Sequence, residues 1–118
     1  MKKVKRTERG WAGHFICGYR CLFRLNTLLT QGKKKIIVST VGNMRDDNGM
    51  PEQIGCDRYY ETMVFYAKKK GEFIEINVHK EISSFISEWC ISEPFQDNLA
   101  NDMHENVVQE IIQKFFEK

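Results

Sequence analysis

The feature that most constrains this chain is a succession of β-type segments cut apart by turn chemistry between Lys33 and Val78. In "KKKIIVSTVG" (33–42), Ile36, Val38 and Thr40 alternate with Ile37, Ser39 and Val41, and Gly42 ends the run. Two-residue periodicity with β-branched side chains is what a pleated surface accommodates, so this segment reads as a strand. "NMRDDNGMPEQIG" (43–55) gathers Asp47, Asn48, Gly49 and Pro51 and reads as a hairpin-like connection. "CDRYYETMVFYA" (56–67) resumes β composition, with Tyr59, Glu61, Met63 and Phe65 on one face and Arg58, Tyr60, Thr62, Val64 and Tyr66 on the other. "KKKG" (68–71) reads as a second turn, and "EFIEINV" (72–78) as a third strand. Connections this short force antiparallel neighbours, so a meander of at least three strands is expected.

The two ends differ in character. Residues 11–17 alternate as a strand would, whereas "CLFRLNTLL" (21–29) fits both periods: Cys21, Phe23 and Leu25 at two, Leu22, Leu25 and Leu29 at helical spacing. Two strands with a turn near Gly18 are the preferred reading. Residues 82–90 place Ile82, Phe85, Ile86, Trp89 and Cys90 at helical spacing within a serine-rich context, which fits a short helix or an irregular segment. From Asp97 onward, Leu99, Met103, Val107, Val108, Ile111, Ile112 and Phe115 make a broad apolar stripe. Asp97 is placed to cap the first turn, and Lys114 and Lys118 suit the negative end of the helix dipole. The stripe is wide for one helix on one sheet and hints at a partner helix from a second subunit. The fold class is therefore α+β: an antiparallel meander sheet with a long C-terminal helix packed on it. With 118 residues and no visible linker or repeat, residues 1–118 read as one domain, with 1–8 as a basic arm.

Composition excludes several classes. No apolar run approaches the ~20 residues of a membrane span. The basic start MKKVKRTERGW leads into no apolar segment, so it does not read as a secretory signal. Cysteines at 17, 21, 56 and 90 without an export signal imply a reducing compartment and free thiols, and hence a cytoplasmic protein. Charge is unevenly spread. Residues 1–45 carry eleven Lys and Arg against Glu8 alone, while residues 46–118 carry seven against fifteen acids. Such a split fits an anion-binding half, two surfaces that attract each other between subunits, or ordinary solvated charge.

The stretch "RGWAGHFICGYRCLFRLNTLLT" (9–30) crowds Arg9, Arg20, Arg24 and Asn26 among Trp11, Phe15, Tyr19 and Phe23, and three chemistries compete for it. A metal site is poorly served. His14, Cys17 and Cys21 supply zinc-type ligands, but the paired Cys-x2-Cys knuckle is missing, and alternation sends His14 and Cys17 to opposite faces. Catalysis is also poorly served. "MHENVV" (103–108) has Val108 where a metalloprotease helix needs its second His, and no phosphate-loop or nucleophile-elbow pattern occurs. His14 has no obvious orienting acid in the sequence. Glu61, Asp102, His104 and Glu105 could form acid–base pairs, but such groups are usually solvent-facing. A flat, negatively charged ligand fits best. Guanidinium forks match phosphates, aromatic faces stack on bases, and Arg20, Arg24 and Arg58 all neighbour aromatics, with Asn26, Asn98 and Asn101 available for base or ribose edges. Extended DNA or RNA fits less well, since net charge is only +2 and no nucleic-acid module pattern occurs.

The strings "RGWAGHFICGYRCLFRLNTLL", "KIIVSTVGNM", "IGCDRYYETMVFYA" and "NDMHENVVQEI" resemble the Thoeris anti-defence proteins of the first type, from about Arg9 to Phe115. These are small phage proteins that act as sponges for immune signalling nucleotides. The resemblance implies binding of a glyco-cyclic ADP-ribose isomer without cleavage, in the host cytoplasm, with no cofactor and no enzymatic activity. It also implies a dimer or hexamer with pockets lined by two protomers, and further sites for cyclic di- or trinucleotides in some members. On this resemblance Arg20, Arg24 and Arg58 would hold phosphate, Phe85 or Trp89 would stack, Asn98 and Asn101 would meet the nucleoside, and Lys114 would be the basic residue near the end of the last helix. A sponge needs affinity and no transition-state machinery, so a missing catalytic constellation is compatible with it. Two other functions remain open: a small nucleotide hydrolase or phosphodiesterase using His14 or His104, and a module that binds a host protein through its charged halves.

Overall fold

The computed structural model describes residues 3–10, 14, 20–71, 73–82 and 89–116. Its strands are β1 (Lys5–Glu8), β2 (Cys21–Gln31), β3 (Lys34–Arg45), β4 (Pro51–Glu52), β5 (Tyr60–Lys70), β6 (Phe73–Glu81) and β7 (Cys90–Ile91), followed by the helix α1 (Asp97–Phe115). All belong to one antiparallel sheet in the order β1-β2-β3-β5-β6, with β4 against β3 and β7 against β5. The antiparallel meander with a long C-terminal helix packed on it is the architecture the sequence implied.

The ambiguous segment at 21–29 is a strand because β2 lies between two partners. Glu8 pairs with Thr27 on one side, and Thr27 pairs with Val38 on the other. The two-residue connection at Gly32-Lys33 is set by Gly32, whose φ of 62° suits the first central position of a tight hairpin. Lys68, Lys69 and Lys70, read as a turn, stay in β5 opposite Glu75, Ile74 and Phe73. A lysine at the exposed end of a strand keeps its ammonium in water while its backbone joins the ladder, and Lys68 also meets Glu75 at 3.6 Å. The loop after β3 is closed by the Asp46 carboxylate, which accepts the N–H groups of Asn48 (2.8 Å) and Met50 (2.9 Å).

The helix covers one face of the sheet. Val107, Val108, Ile111 and Phe116 pack on Leu29, Ile36, Val38, Val64 and Trp89, with Ile82, Ile112 and Phe115 at the margin. Each side chain buried there contributes on the order of 1.5–3 kcal/mol. A smaller cluster joins Cys21, Val41, Met44 and Ile54 near the β3–β4 hairpin. The apolar stripe is not fully used: Leu99, near the start of α1, is 54 % exposed. Asp97 does not cap the helix. Gln96 holds the cap position without a side-chain bond, and Asp97 instead accepts the Tyr60 hydroxyl of β5 at 2.5 Å. Of the segment 82–90, residues 83–88, including the proposed stacking residue Phe85, lie outside the described residues. Trp11, Phe15, Cys17 and Tyr19 lie outside them as well.

The expectation of free thiols holds at Cys56 and Cys90 and fails at Cys21, which is disulfide-bonded. Among the described residues no helix is long and apolar enough to cross a membrane.

Candidate functional site

Strand alternation sorts the polar side chains of the sheet onto two faces. Thr27 and Thr40 point toward α1, so Asn26 and Ser39, their neighbours in β2 and β3, point away from it. Register then builds a row on that far face. Asn26 pairs with Ser39, and Ser39 with Met63. On the other flank, Arg9 extends β1 by donating its N–H to the Asn26 carbonyl at 2.8 Å. The next row joins Arg24 to Val41, Val41 to Glu61 and Glu61 to Cys90. Arg24 and Glu61 therefore stand two strand spacings apart, about 10 Å.

Two features mark this face. The first is a chain of polar contacts through His14. Its Nδ1 lies 2.9 Å from Ser39 Oγ and its Nε2 3.1 Å from Glu61 Oε1, while its backbone N–H donates to the same Ser39 oxygen at 3.1 Å. The ring rests against Phe65, 5.7 Å between centroids. Arg58 adds its Nη1 at 3.4 Å from the other Glu61 oxygen. Burial opposes the charge on Glu61, but the hydrogen bond from His14 and the guanidinium of Arg58 outweigh it and hold the carboxyl below its ordinary range. Burial, then the Glu61 charge, push the neighbouring Cys90 thiol up. Glu61 is thus a buried, doubly held group and not the solvent-facing carboxylate the sequence suggested, and it is the orienting acid for His14 that the sequence did not reveal.

The second feature is unmet hydrogen bonding. Asn26 is 1 % exposed, yet neither its Oδ1 nor its Nδ2 has a partner, and Arg9 Nη1 is likewise buried and unpaired. A buried amide left without partners costs on the order of 1–3 kcal/mol per group, so native folds rarely keep one without a use for it.

The helix-side face carries a different polar array, and it is closed. His104 is 2 % exposed between Thr27 Oγ1, 2.7 Å from Nε2, and Thr40 Oγ1, 2.7 Å from Nδ1. Thr27 donates its only hydroxyl proton to Glu8 (2.6 Å), so it must accept from His104 Nε2–H, which leaves Nδ1 to accept from Thr40. Thr40 in turn accepts from Thr62 at 2.5 Å. A neutral imidazole satisfies every member. Burial lowers the His104 pKa to about 4, in keeping with that state. His104, one of the acid–base candidates in the sequence, is a bolt between helix and sheet, bonded at both ring nitrogens.

The other predicted site residues disperse. Arg24 and Arg58 share the far face with Asn26, and Arg24 donates its Nε to the Cys21 carbonyl at 3.2 Å. Arg20 is drawn away: its Nε donates to the Arg45 carbonyl at 3.1 Å and its Nη2 to Glu52 at 3.2 Å. Trp89, expected to stack on a base, is 8 % exposed within the helix-side core. Its edge lines an open groove of about 390 Å³ with Ile91, Leu99, Met103 and Asp102. Asn98 and Asn101 are exposed on α1, on the opposite side of the sheet from Asn26, and Asn98 borders a cleft of about 330 Å³ with Arg45 and Phe95. Lys114 is exposed and paired with Glu110 at 3.2 Å. One chain therefore brings together Asn26, Arg24 and Arg58 but not Arg20, Asn98, Asn101 or Lys114. Sequence reasoning missed Ser39 and set Glu61 aside as a solvent-facing carboxylate. The signal was available, since both are polar residues inside otherwise apolar strands.

Ser39 is wholly buried in mid-strand, with ladders on both sides of it. Among the described residues no group of His, Cys, Asp and Glu is arranged to hold a metal ion. Comparison of this chain with protein-family models, curated protein sequences and solved structures finds no match.

Proposed function

We propose that this protein binds and sequesters a small anionic nucleotide, of the glyco-cyclic ADP-ribose kind its sequence resemblance implies, and releases it chemically unchanged. The observation that carries this reading is the buried, unpartnered Asn26 amide beside the unpaired Arg9 Nη1. An amide presents one donor and one acceptor side by side, which is what a base or carboxamide edge requires. Among the described residues Arg9, Arg24 and Arg58 share its face with the carboxylate of Glu61, so the local surplus is positive and suits a diphosphate. The His14–Glu61–Arg58 contacts hold these three side chains in place before a ligand arrives, which lowers the ordering cost of binding. Assembly into a dimer or larger oligomer belongs to the same proposal, because Asn98 and Asn101 could join the ligand only from another copy.

The contact sequence Ser39–His14–Glu61 favours one second reading, a nucleotide hydrolase, and a single experiment separates the two. The protein is titrated with glyco-cyclic ADP-ribose, followed by thermal melting, then denatured, and the nucleotide is recovered by chromatography. Sequestration predicts a melt raised by several degrees, since ligand at a hundred times its Kd adds about 2.7 kcal/mol, and full recovery of the intact cycle. Recovery of an opened or hydrolysed product, lost in Ser39→Ala, would reassign the site to catalysis.

A further inference from the structure

The end of the sheet away from the helix N-terminus carries a separate groove of about 730 Å³, lined by Lys33, Lys34, Lys35, Tyr66, Lys68, Lys69 and their neighbours Ala67 and Asn77. Topology gathers these charges. Ile36 of β3 pairs with Tyr66 of β5, and the two strands run antiparallel, so the β2–β3 and β5–β6 hairpin tips fall at the same end. Five ammonium groups therefore line one groove from two separate hairpins.

Two of the five are committed. Lys34 donates to the Phe115 carbonyl at the end of α1 and lies 5.7 Å from the Phe116 ring centroid, and Lys68 meets Glu75 at 3.6 Å. Lys33, Lys35 and Lys69 have no carboxylate partner among the described residues. Tyr66 sits among them with 39 % of its surface exposed, an aromatic ring that the fold does not bury.

We infer that this groove is a second ligand site, independent of Asn26, that takes a nucleoside 5′-polyphosphate: the phosphate chain on Lys33, Lys35 and Lys69, and the base against Tyr66. Lysines on flexible stems act as point charges and follow a phosphate chain without demanding one fork geometry. An exposed aromatic ring offers a face on which a base can stack. The groove's volume lies within the roughly 300–1,000 Å³ of small-molecule sites, which favours a compact ligand over a nucleic-acid tract.

The test is calorimetric titration of the intact protein at low salt with ATP, AMP, inorganic tripolyphosphate and a thymidine dodecamer. ATP is expected to bind at least tenfold tighter than AMP, and affinity is expected to fall as salt rises. Lys35→Glu with Lys69→Glu should weaken ATP at least tenfold while leaving the melting temperature of the free protein within about a degree. Tyr66→Leu should bring ATP down to the affinity of tripolyphosphate, and Asn26→Leu should leave ATP binding unchanged. The inference is overturned if ATP binds no better than AMP, if the charge reversals leave ATP affinity unaltered, or if the dodecamer binds more tightly than ATP.

Discussion

At Asn26 the fold keeps an amide in the dry interior with nothing to bond to. If the amide is reserved for a ligand, it should cost stability in the ligand's absence. Asn26→Leu, close in volume and free of polar atoms, is therefore expected to raise the stability of the free protein by about 1–2 kcal/mol, measured by chemical denaturation. An amide bonded within the fold would give the opposite sign. His104 offers a second residue-scale prediction. Its folded pKa of about 4 lies below the ordinary value of 6.5, so between these pH values the unfolded chain binds a proton that the folded chain refuses. Stability should fall as pH drops from about 6.5 toward 4, by about 3 kcal/mol in full, and then level off for this group. His104→Gln should flatten that limb of the stability–pH curve, which equilibrium unfolding at several pH values will detect.

Elements are tied to one another by a few polar contacts laid over the apolar core. Tyr60 of β5 donates to Asp97 at 2.5 Å and accepts the Gln96 N–H at 3.0 Å, which fixes the start of α1 to the sheet. Tyr60→Phe should cost about 1–2 kcal/mol and increase amide exchange in the first turn of the helix more than in its last. Burial, with help from Asp97, raises the Tyr60 hydroxyl to about 12. The stability it contributes is complete below pH 10 and should disappear as pH rises through 12. The elements themselves were largely readable from the chain: β3, β5, β6 and α1 each carry the period of the structure they form. What could not be read was which polar residue on a strand meets which partner. Glu61 resembles any strand carboxylate until His14, 47 residues earlier, is set against it. His104 reads as a free acid–base group until the Thr27 and Thr40 hydroxyls close on it. Periodicity assigns a face, but pairing across strands decides whether a polar group on that face is solvated, bonded or left unmet.

Over the whole molecule, the basic first half and acidic second half meet within a single chain. Arg6 of β1 grips Glu105 of α1 through two bonds, of 2.8 Å and 2.7 Å, while also holding Glu8 at 2.6 Å. The Arg6 guanidinium and then Gln109 pull the Glu105 carboxyl down to about 2, so its contribution is present above pH 4.5 and fades as pH falls toward 2. Both side chains are partly exposed, so Arg6→Ala should cost less than about 1 kcal/mol, and raising the salt to 0.5 M should shrink that difference further, as paired denaturation curves will show. Part of the charge asymmetry in the sequence is therefore spent on docking β1 to the helix. Further positive charge stands at Arg9, Arg24 and Arg58 on the far face and at the lysine groove.

The most direct measurement is a paired thermal melt of the natural chain and Asn26→Leu, each with and without glyco-cyclic ADP-ribose. The natural chain should gain several degrees with the nucleotide, and the variant should start higher and gain nothing. A natural chain that does not respond at millimolar nucleotide, or a variant that responds equally, would contradict a nucleotide-binding role for the Asn26 face.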